Sequence, residues 1–368
     1  MVLQDKSRGD EKMSEILTKK DSQKYGVDCC VKTENKRVKL LQITDMQFID
    51  AEQRRTPDRL RQDEIDAWGS DKKDALGGDQ IRSLVAQSKP DLIFVTGDAV
   101  YGSFDDSGKS FEYFCALMDS LKTPWAITFG NHDNESKRGV DWQCKMLEDS
   151  EYCVFNRGDV TGNSNYTVGI VQGDSLVRVL YMIDSNGCSD SNDPKIIKEE
   201  GIFPDQLEWM RESKRKIDQI NGKKVPAFLA YHIPTEEFGV AEKEKGYPTT
   251  GTYVIGVNAE QKGEDFGARL GYVAYIKVEG LNSLIKEMNV DGVFTGHWHR
   301  INTCIEYDGV KWVYGLKTSQ YDDHVLGQNG GTQITLYPDD FEVRHIISLA
   351  QYARFPKSAP LLNAVCTE

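Results

Sequence analysis

The chain has few histidines and no order in its cysteines. Its 368 residues include six histidines (His132, His232, His297, His299, His324 and His345) and eight cysteines (Cys29, Cys30, Cys115, Cys144, Cys153, Cys188, Cys304 and Cys366). The cysteines form no Cys-x-x-Cys and share no repeated spacing, so neither a disulfide framework nor a structural zinc site is expected, and free thiols of a reducing compartment are. No apolar run approaches the roughly 20 residues of a membrane-spanning helix. The start, Met1-Val2-Leu3-Gln4-Asp5-Lys6, lacks the apolar core of a signal peptide, and cytoplasm is the expected compartment. Positive charge is short as well. A net charge of −13 argues against nucleic acid or an anionic membrane surface as a general partner. A small anionic substrate stays open, because bound cations invert the local field. There is no Gly-x-Ser-x-Gly elbow, no cysteine in a catalytic motif and no internal repeat.

What the chain does have is a recurring event: an apolar run that stops on a polar ligand-type residue. Val38–Thr44 stops at Asp45-Met46-Gln47, and Asp91–Thr96 stops at Gly97-Asp98. Trp125–Phe129 stops at Gly130-Asn131-His132-Asp133, Val225–Tyr231 at His232, and Val290–Thr295 at Gly296-His297-Trp298-His299. Open α/β folds place their chemistry at the carboxyl ends of buried strands. A lone histidine at a strand end is more often a surface or capping residue; four on one rim with two Asp and an Asn make a site. Mixed Asp, Asn and His donors suit borderline or hard cations such as Fe, Mn or Zn.

In chain order, residues 1–36 are rich in Lys, Asp, Glu and Ser and read as a loosely attached, partly ordered tail. The densely charged residues 50–73 read as an insertion over the rim. Gln80–Ala86 and Phe111–Leu121 have the spacing of crossover helices, and Val140–Leu147 and the stretch from Pro204 read as helices too. Tyr166–Val171 and Leu176–Ile183 read as a hairpin across Gly173-Asp174. Residues 235–272, polar and glycine-rich, read as a lid or wall whose Lys243, Lys245, Tyr247, Tyr253 and Asn258 could touch a substrate. Leu281–Met288 leads into the histidine pair. The end reads as a meander of four strands, 302–306, 310–314, 332–336 and 341–347, before a C-terminal extension, 351–368. Alternating βα units followed by strands predict one α/β domain over 37–350: a four-layer α-β-β-α sandwich, with two mixed sheets face to face and helices outside.

The five ordered motifs, Asp45-Met46-Gln47, Gly97-Asp98-Ala99-Val100-Tyr101, Gly130-Asn131-His132-Asp133, His232 and Gly296-His297-Trp298-His299, resemble the calcineurin-like metallophosphoesterase superfamily. Phe203–Trp209 and Tyr231-His232-Ile233-Pro234 resemble its purple acid phosphatase branch. Two departures from the superfamily pattern go together. Gln47 stands where a histidine is usual and Tyr101 where an aspartate is common, and purple acid phosphatases likewise lose that histidine and use the tyrosine as a ferric ligand. The alternative is that Tyr101 is a packed aromatic and Gln47 a weak amide ligand. The resemblance implies Asp45, Tyr101 and His299 on one metal, Asn131, His232 and His297 on a second, and Asp98 bridging them. The pair is expected to be Fe with Fe, Mn or Zn. It further implies that His132 faces the substrate as proton donor or transition-state stabiliser, the alternative being a partner behind a ligand, with Asp133 orienting His132 or another ligand. Arg300 either meets a phosphate or makes a surface ion pair. His324 and His345 match no ligand motif and read as a loop residue and a strand-face residue.

The expected reaction is hydrolysis of a small phosphomonoester, with a metal-activated hydroxide attacking phosphorus in line and Asp98, Asn131 and His132 at the reacting centre. A phosphodiesterase acting on cyclic nucleotides, nucleotides or lipid head groups is the alternative, and a non-catalytic binding module on the same fold a third reading. Filled ligand positions speak against the last.

Overall fold

The structure, a computed structural model, describes residues 13–58, 60–70, 72–188, 191, 193–256, 265–325 and 327–350. The first half begins with β1 (Glu15–Ile16), α1 (Lys19–Gln23), β2 (Cys29–Thr33) and β3 (Lys39–Ile43). It continues through α2 (Gln62–Trp68), α3 (Lys73–Ser88), β4 (Leu92–Thr96), α4 (Lys109–Ser120), β5 (Trp125–Thr128) and α5 (Val140–Asp149). The second half opens with β6 (Tyr166–Gln172), β7 (Ser175–Met182), α6 (Pro204–Asn221), β8 (Ala227–Ala230) and α7 (Glu236–Glu244). Then come β9 (Thr252–Gly256), β10 (Gly267–Leu270), α8 (Leu281–Glu287) and β11 (Val290–Thr295). β12 (Cys304–Tyr307), β13 (Val310–Tyr314), β14 (Gly330–Leu336) and β15 (Phe341–Ile347) close the described chain.

Side chains alternate across each strand, so a strand covered on both faces must be apolar on both. Leu40, Phe94, Val168, Phe228, Phe294 and Ile334 meet in a core between two sheets. Their neighbours Leu41, Ile43, Ile93 and Val95 turn the other way, onto Ile81 and Leu84 of α3 and Phe114 of α4. On the far side Val179, Leu229 and Val293 pack on Met210 and Ile217 of α6, Phe238 of α7 and Leu284 of α8. One sheet runs β15-β14-β3-β4-β5, the other β1-β2-β6-β7-β8-β11-β13-β12. Both mix parallel and antiparallel pairs. This is the expected four-layer sandwich. β3, β4 and β5 are parallel to one another, as are β8 and β11, so their carboxyl ends collect on one rim.

Three expectations change in detail. Residues 13–36 are no loose tail: β2 pairs in parallel with β6 over Cys29–Thr33 and extends the larger sheet. Five residues flanked by charge carry too little pattern to declare a strand, and the partner supplies what propensity does not. Residues 1–12 and 351–368 lie outside the described residues. The four terminal strands form two hairpins in different sheets, β12–β13 in the larger and β14–β15 in the smaller. The connection between them, 315–329, therefore crosses the rim where the site lies.

The described residues of 235–272 include α7 and the antiparallel pair β9 and β10, a wall tied back to the larger sheet by bridges Phe266–Cys304 and Arg269–Ile301. The substrate-facing residues expected there are occupied within the wall. Lys245 pairs with Asp265 at 3.1 Å, Tyr247 donates to Asp265 at 3.0 Å and Tyr253 to Glu242 at 3.0 Å. Lys243 lies in the last turn of α7, and Asn258 falls outside the described residues.

Candidate metal centre

At the ends of β3, β4 and β11 the strand-to-loop turn passes through the left-handed region: Asp45 at φ 53°, Gln47 at 48°, Asp98 at 53° and His297 at 72°. Non-glycine residues held there are uncommon and concentrate at functional sites. The turns aim side chains back over the strand ends, and adjoining glycines leave room for them. A Cβ on Gly130 would stand 2.1 Å from Asp98 Oδ1, and one on Gly296 would stand 2.6 Å from Asp45 Oδ2.

Asp45, Asp98 and His232, all buried, bring ligand atoms within 4.8 Å of one another. His299 Nε2 lies 3.2 Å from Asp45 Oδ1, and His232 Nε2 lies 3.2 Å from Asp98 Oδ2. His297 Nδ1 lies 3.0 Å from Asn131 Oδ1 and 3.3 Å from His232 Nε2. The donors thus fall into an Asp45–His299 group and an Asn131–His232–His297 group, with Asp98 reaching toward the second. His297 and His299 diverge as expected for residues two apart on a loop. Tyr101 is buried beside them. Its ring centroid is 3.9 Å from that of His132, and Trp68 and Phe104 meet it edge-on.

The surroundings fix these side chains. His232 Nδ1 faces the Thr96 carbonyl at 2.7 Å and His299 Nδ1 the Asp323 carbonyl at 2.7 Å, which leaves each Nε2 as the free ligand atom. Asp133 accepts backbone N–H bonds from Asp98, Val100 and Gly130, locking the second and third motifs together. Asp133 braces backbone, while Glu135 approaches His132: its Oε1 is 2.9 Å from His132 Nδ1. Gln47 is buried between Asp98 and Lys317. Its Oε1 accepts from the buried Lys317 Nζ at 2.7 Å, and Lys317 also donates to the Asp45 carbonyl at 2.8 Å. Arg300 forms an ion pair with Asp323. His324 is buried beside the Asp322 carbonyl, and His345 sits on β15 between Thr332 and Asn302. Glu135, Asp323 and Lys317 carry no sequence signal, because each reaches the site through tertiary placement.

The electrostatics call for cations. Burial would raise Asp45, yet the His299 ring holds it down to about 2. Asp98 falls well below the usual carboxylate range against the same burial, with His232 the chief cause. His232 would be lowered by burial, but the Asp98 charge pushes it up to about 10. Burial and then His232 push His297 down to about 3, keeping it a neutral donor. Two buried carboxylates that recruit a proton onto a buried imidazole, with neutral Asn and His donors alongside, fit bound divalent or trivalent cations.

A four-layer sandwich with such donors on the shared rim defines a metal-dependent phosphoesterase. The family model for calcineurin-like phosphoesterases matches residues 38–300, and the chain belongs to that family. Among curated relatives it is 27% identical over 322 residues to "Probable inactive purple acid phosphatase 29" of Arabidopsis thaliana, covering 80% of this chain and 75% of that one. It is 25% identical over 250 residues to "Phosphatase DCR2" of Saccharomyces cerevisiae, covering 62% of this chain and 39% of that one. A solved dimetal phosphatase from Danio rerio shares the fold, with a TM-score of 0.51 and 11% identity over 85% of this chain and 96% of that one. The family fold implies two metal ions. No helix among the described residues is long and apolar enough to cross a membrane.

Proposed function

We propose that the chain hydrolyses small phosphomonoesters with two cations, one held by Asp45, Tyr101 and His299, the other by Asn131, His232 and His297, and Asp98 between them. The observation that carries this reading is the convergence of Asp45, Asp98 and His232 within 4.8 Å, with His297 and Asn131 in contact beside them. Bound there, the cations would supply Lewis acidity toward phosphate oxygens and an activated water. The chain's own part is positioning and proton transfer. Asp98 Oδ1 accepts the His132 backbone N–H at 2.9 Å, which sets the imidazole at the edge of the donor group. His132 hands a proton to the leaving oxygen. Burial opposes its protonation, but Asp98 and then Glu135 outweigh it and raise its pKa above the ordinary imidazole value. Iron with Fe, Mn or Zn is the proposed pair, with Tyr101 as a phenolate on the first.

The test combines metal content, visible spectrum and turnover of p-nitrophenyl phosphate against bis-p-nitrophenyl phosphate. Expected are about two metals per chain, a monoester preference, and a visible band lost in Tyr101→Phe. Asp98→Ala and Asn131→Ala should abolish turnover while circular dichroism stays unchanged. Turnover surviving in both variants would reject the site, and a diester preference would put the phosphodiesterase reading in its place.

A further inference from the structure

Two arginines from distant parts of the chain converge beside the Asp45–His299 group. Arg61, at the head of α2, brings NH1 to 3.0 Å from Asp323 Oδ1, and Arg300, the residue after His299, bonds the same oxygen through NH2. Their side chains are 38% and 46% exposed, so both open to solvent at the rim. Asp323 is itself fastened to the metal group, since its carbonyl faces His299 Nδ1 at 2.7 Å. Arg61 is anchored from behind: NH2 lies 2.6 Å from the buried Glu64 and donates to the His324 carbonyl at 2.8 Å. Arg300 is anchored through its backbone, whose carbonyl accepts from Leu270 of β10 at 3.1 Å.

Each guanidinium carries five N–H donors in a planar fork, and here two forks meet at one carboxylate oxygen. Each spends a single nitrogen on that oxygen, whereas arginine forks match phosphate in paired hydrogen bonds. Glu64 and Asp323 offset the two positive charges, so what the pair offers an incoming group is hydrogen-bond donors held in place at the rim.

We propose that Arg61 and Arg300 form a subsite for a second phosphate on the substrate, with Asp323 as the internal group that holds the two forks ready. The preferred substrate is then a phosphomonoester whose organic part carries another phosphate. This rests on the phosphomonoesterase reading and names its substrate class.

Phosphonates bind without being hydrolysed, so the subsite is tested apart from turnover. Calorimetry on the metal-loaded protein would compare propylphosphonate with propane-1,3-bisphosphonate. The wild type is expected to bind the bisphosphonate at least tenfold more tightly. In Arg61→Ala/Arg300→Ala that advantage disappears while propylphosphonate binding and metal content persist, and Arg61→Lys/Arg300→Lys keeps part of it. Equal affinities in the wild type, or an advantage that survives the double alanine variant, would overturn the subsite. So would a parallel loss of both ligands with the metals, which would make the arginines a clamp on the 319–325 loop. Failure to hydrolyse propyl phosphate would count against the phosphomonoesterase reading alone.

Discussion

At the scale of single residues, the groups proposed to bind metal and the groups that position them are unequally visible. Asp45, Asp98, Asn131, His232, His297 and His299 announce themselves because each follows an apolar strand in a motif. Glu135 and Lys317 do not, since what matters is the fold that carries them to His132 and Gln47. Glu135 gives the sharper prediction. Its Oε2 accepts the Ser103 N–H at 3.0 Å, which holds the carboxylate against His132 Nδ1. Removing its charge should weaken the imidazole as a proton donor. For Glu135→Gln, turnover of an alkyl phosphate, whose leaving alkoxide needs a proton, should fall about tenfold or more. Turnover of p-nitrophenyl phosphate, whose phenolate leaves unaided, should change little. An equal loss on both substrates would mean that Glu135 shapes the loop without assisting proton transfer. Lys317→Met should weaken metal binding by about 10- to 100-fold, as removal of groups behind a ligand commonly does, and a metal titration would show it.

At the scale of elements, the βα alternation and the strand ends were legible because strands covered on both faces leave near-continuous apolar runs. β2 escaped for the opposite reason, and the 235–272 wall reads as loop because its polar residues bond one another. The strand ends carry a prediction of their own. Gly130 has no side chain because Asp98 Oδ1 and Asp98 N stand 2.1 and 2.6 Å from where a Cβ would be. Gly130→Ala should push the Asp98 carboxylate aside and lower metal affinity about 10- to 100-fold while the sheets persist. Equilibrium dialysis with circular dichroism would measure both.

Between β14 and β15 a buried histidine makes two hydrogen-bond contacts. His345 Nδ1 faces Thr332 Oγ1 at 3.0 Å and Nε2 faces the Asn302 carbonyl at 2.5 Å. Burial pushes its pKa from 6.5 down to about 4, so the folded chain favours the neutral ring. The stability it protects is fully present above pH 6.5 and is lost as pH falls toward 4. The loss attributable to this ring is about 3 kcal/mol. His345→Gln should remove that share of the acid sensitivity in urea unfolding at pH 7 and pH 4.5; identical slopes in variant and wild type would show that His345 is not its source.

At the scale of the molecule, the two sheets meet through one apolar core and again at the rim, where both send proposed donors. Asp45, Asp98 and Asn131 follow β3, β4 and β5 of the smaller sheet, while His232, His297 and His299 follow β8 and β11 of the larger. The sequence marks these strand ends, but which sheet each strand joins is set by pairing across hundreds of residues. Cations held between donors from the two sheets would staple them, and that has a thermodynamic signature. A metal present at about a thousandfold its dissociation constant stabilises the folded state by about 4 kcal/mol. For a chain of this size that corresponds to a melting shift of roughly 5–10 °C. A chelator should therefore lower the melting temperature by that amount, and added metal should restore it. If the cations bridge the sheets, Asp98→Ala from one side and His297→Ala from the other should each shrink the chelator-dependent shift by a similar fraction. A shift abolished by one variant and untouched by the other would mean that a single sheet holds the metal, and that the rim contributes little to joining the two halves of the sandwich.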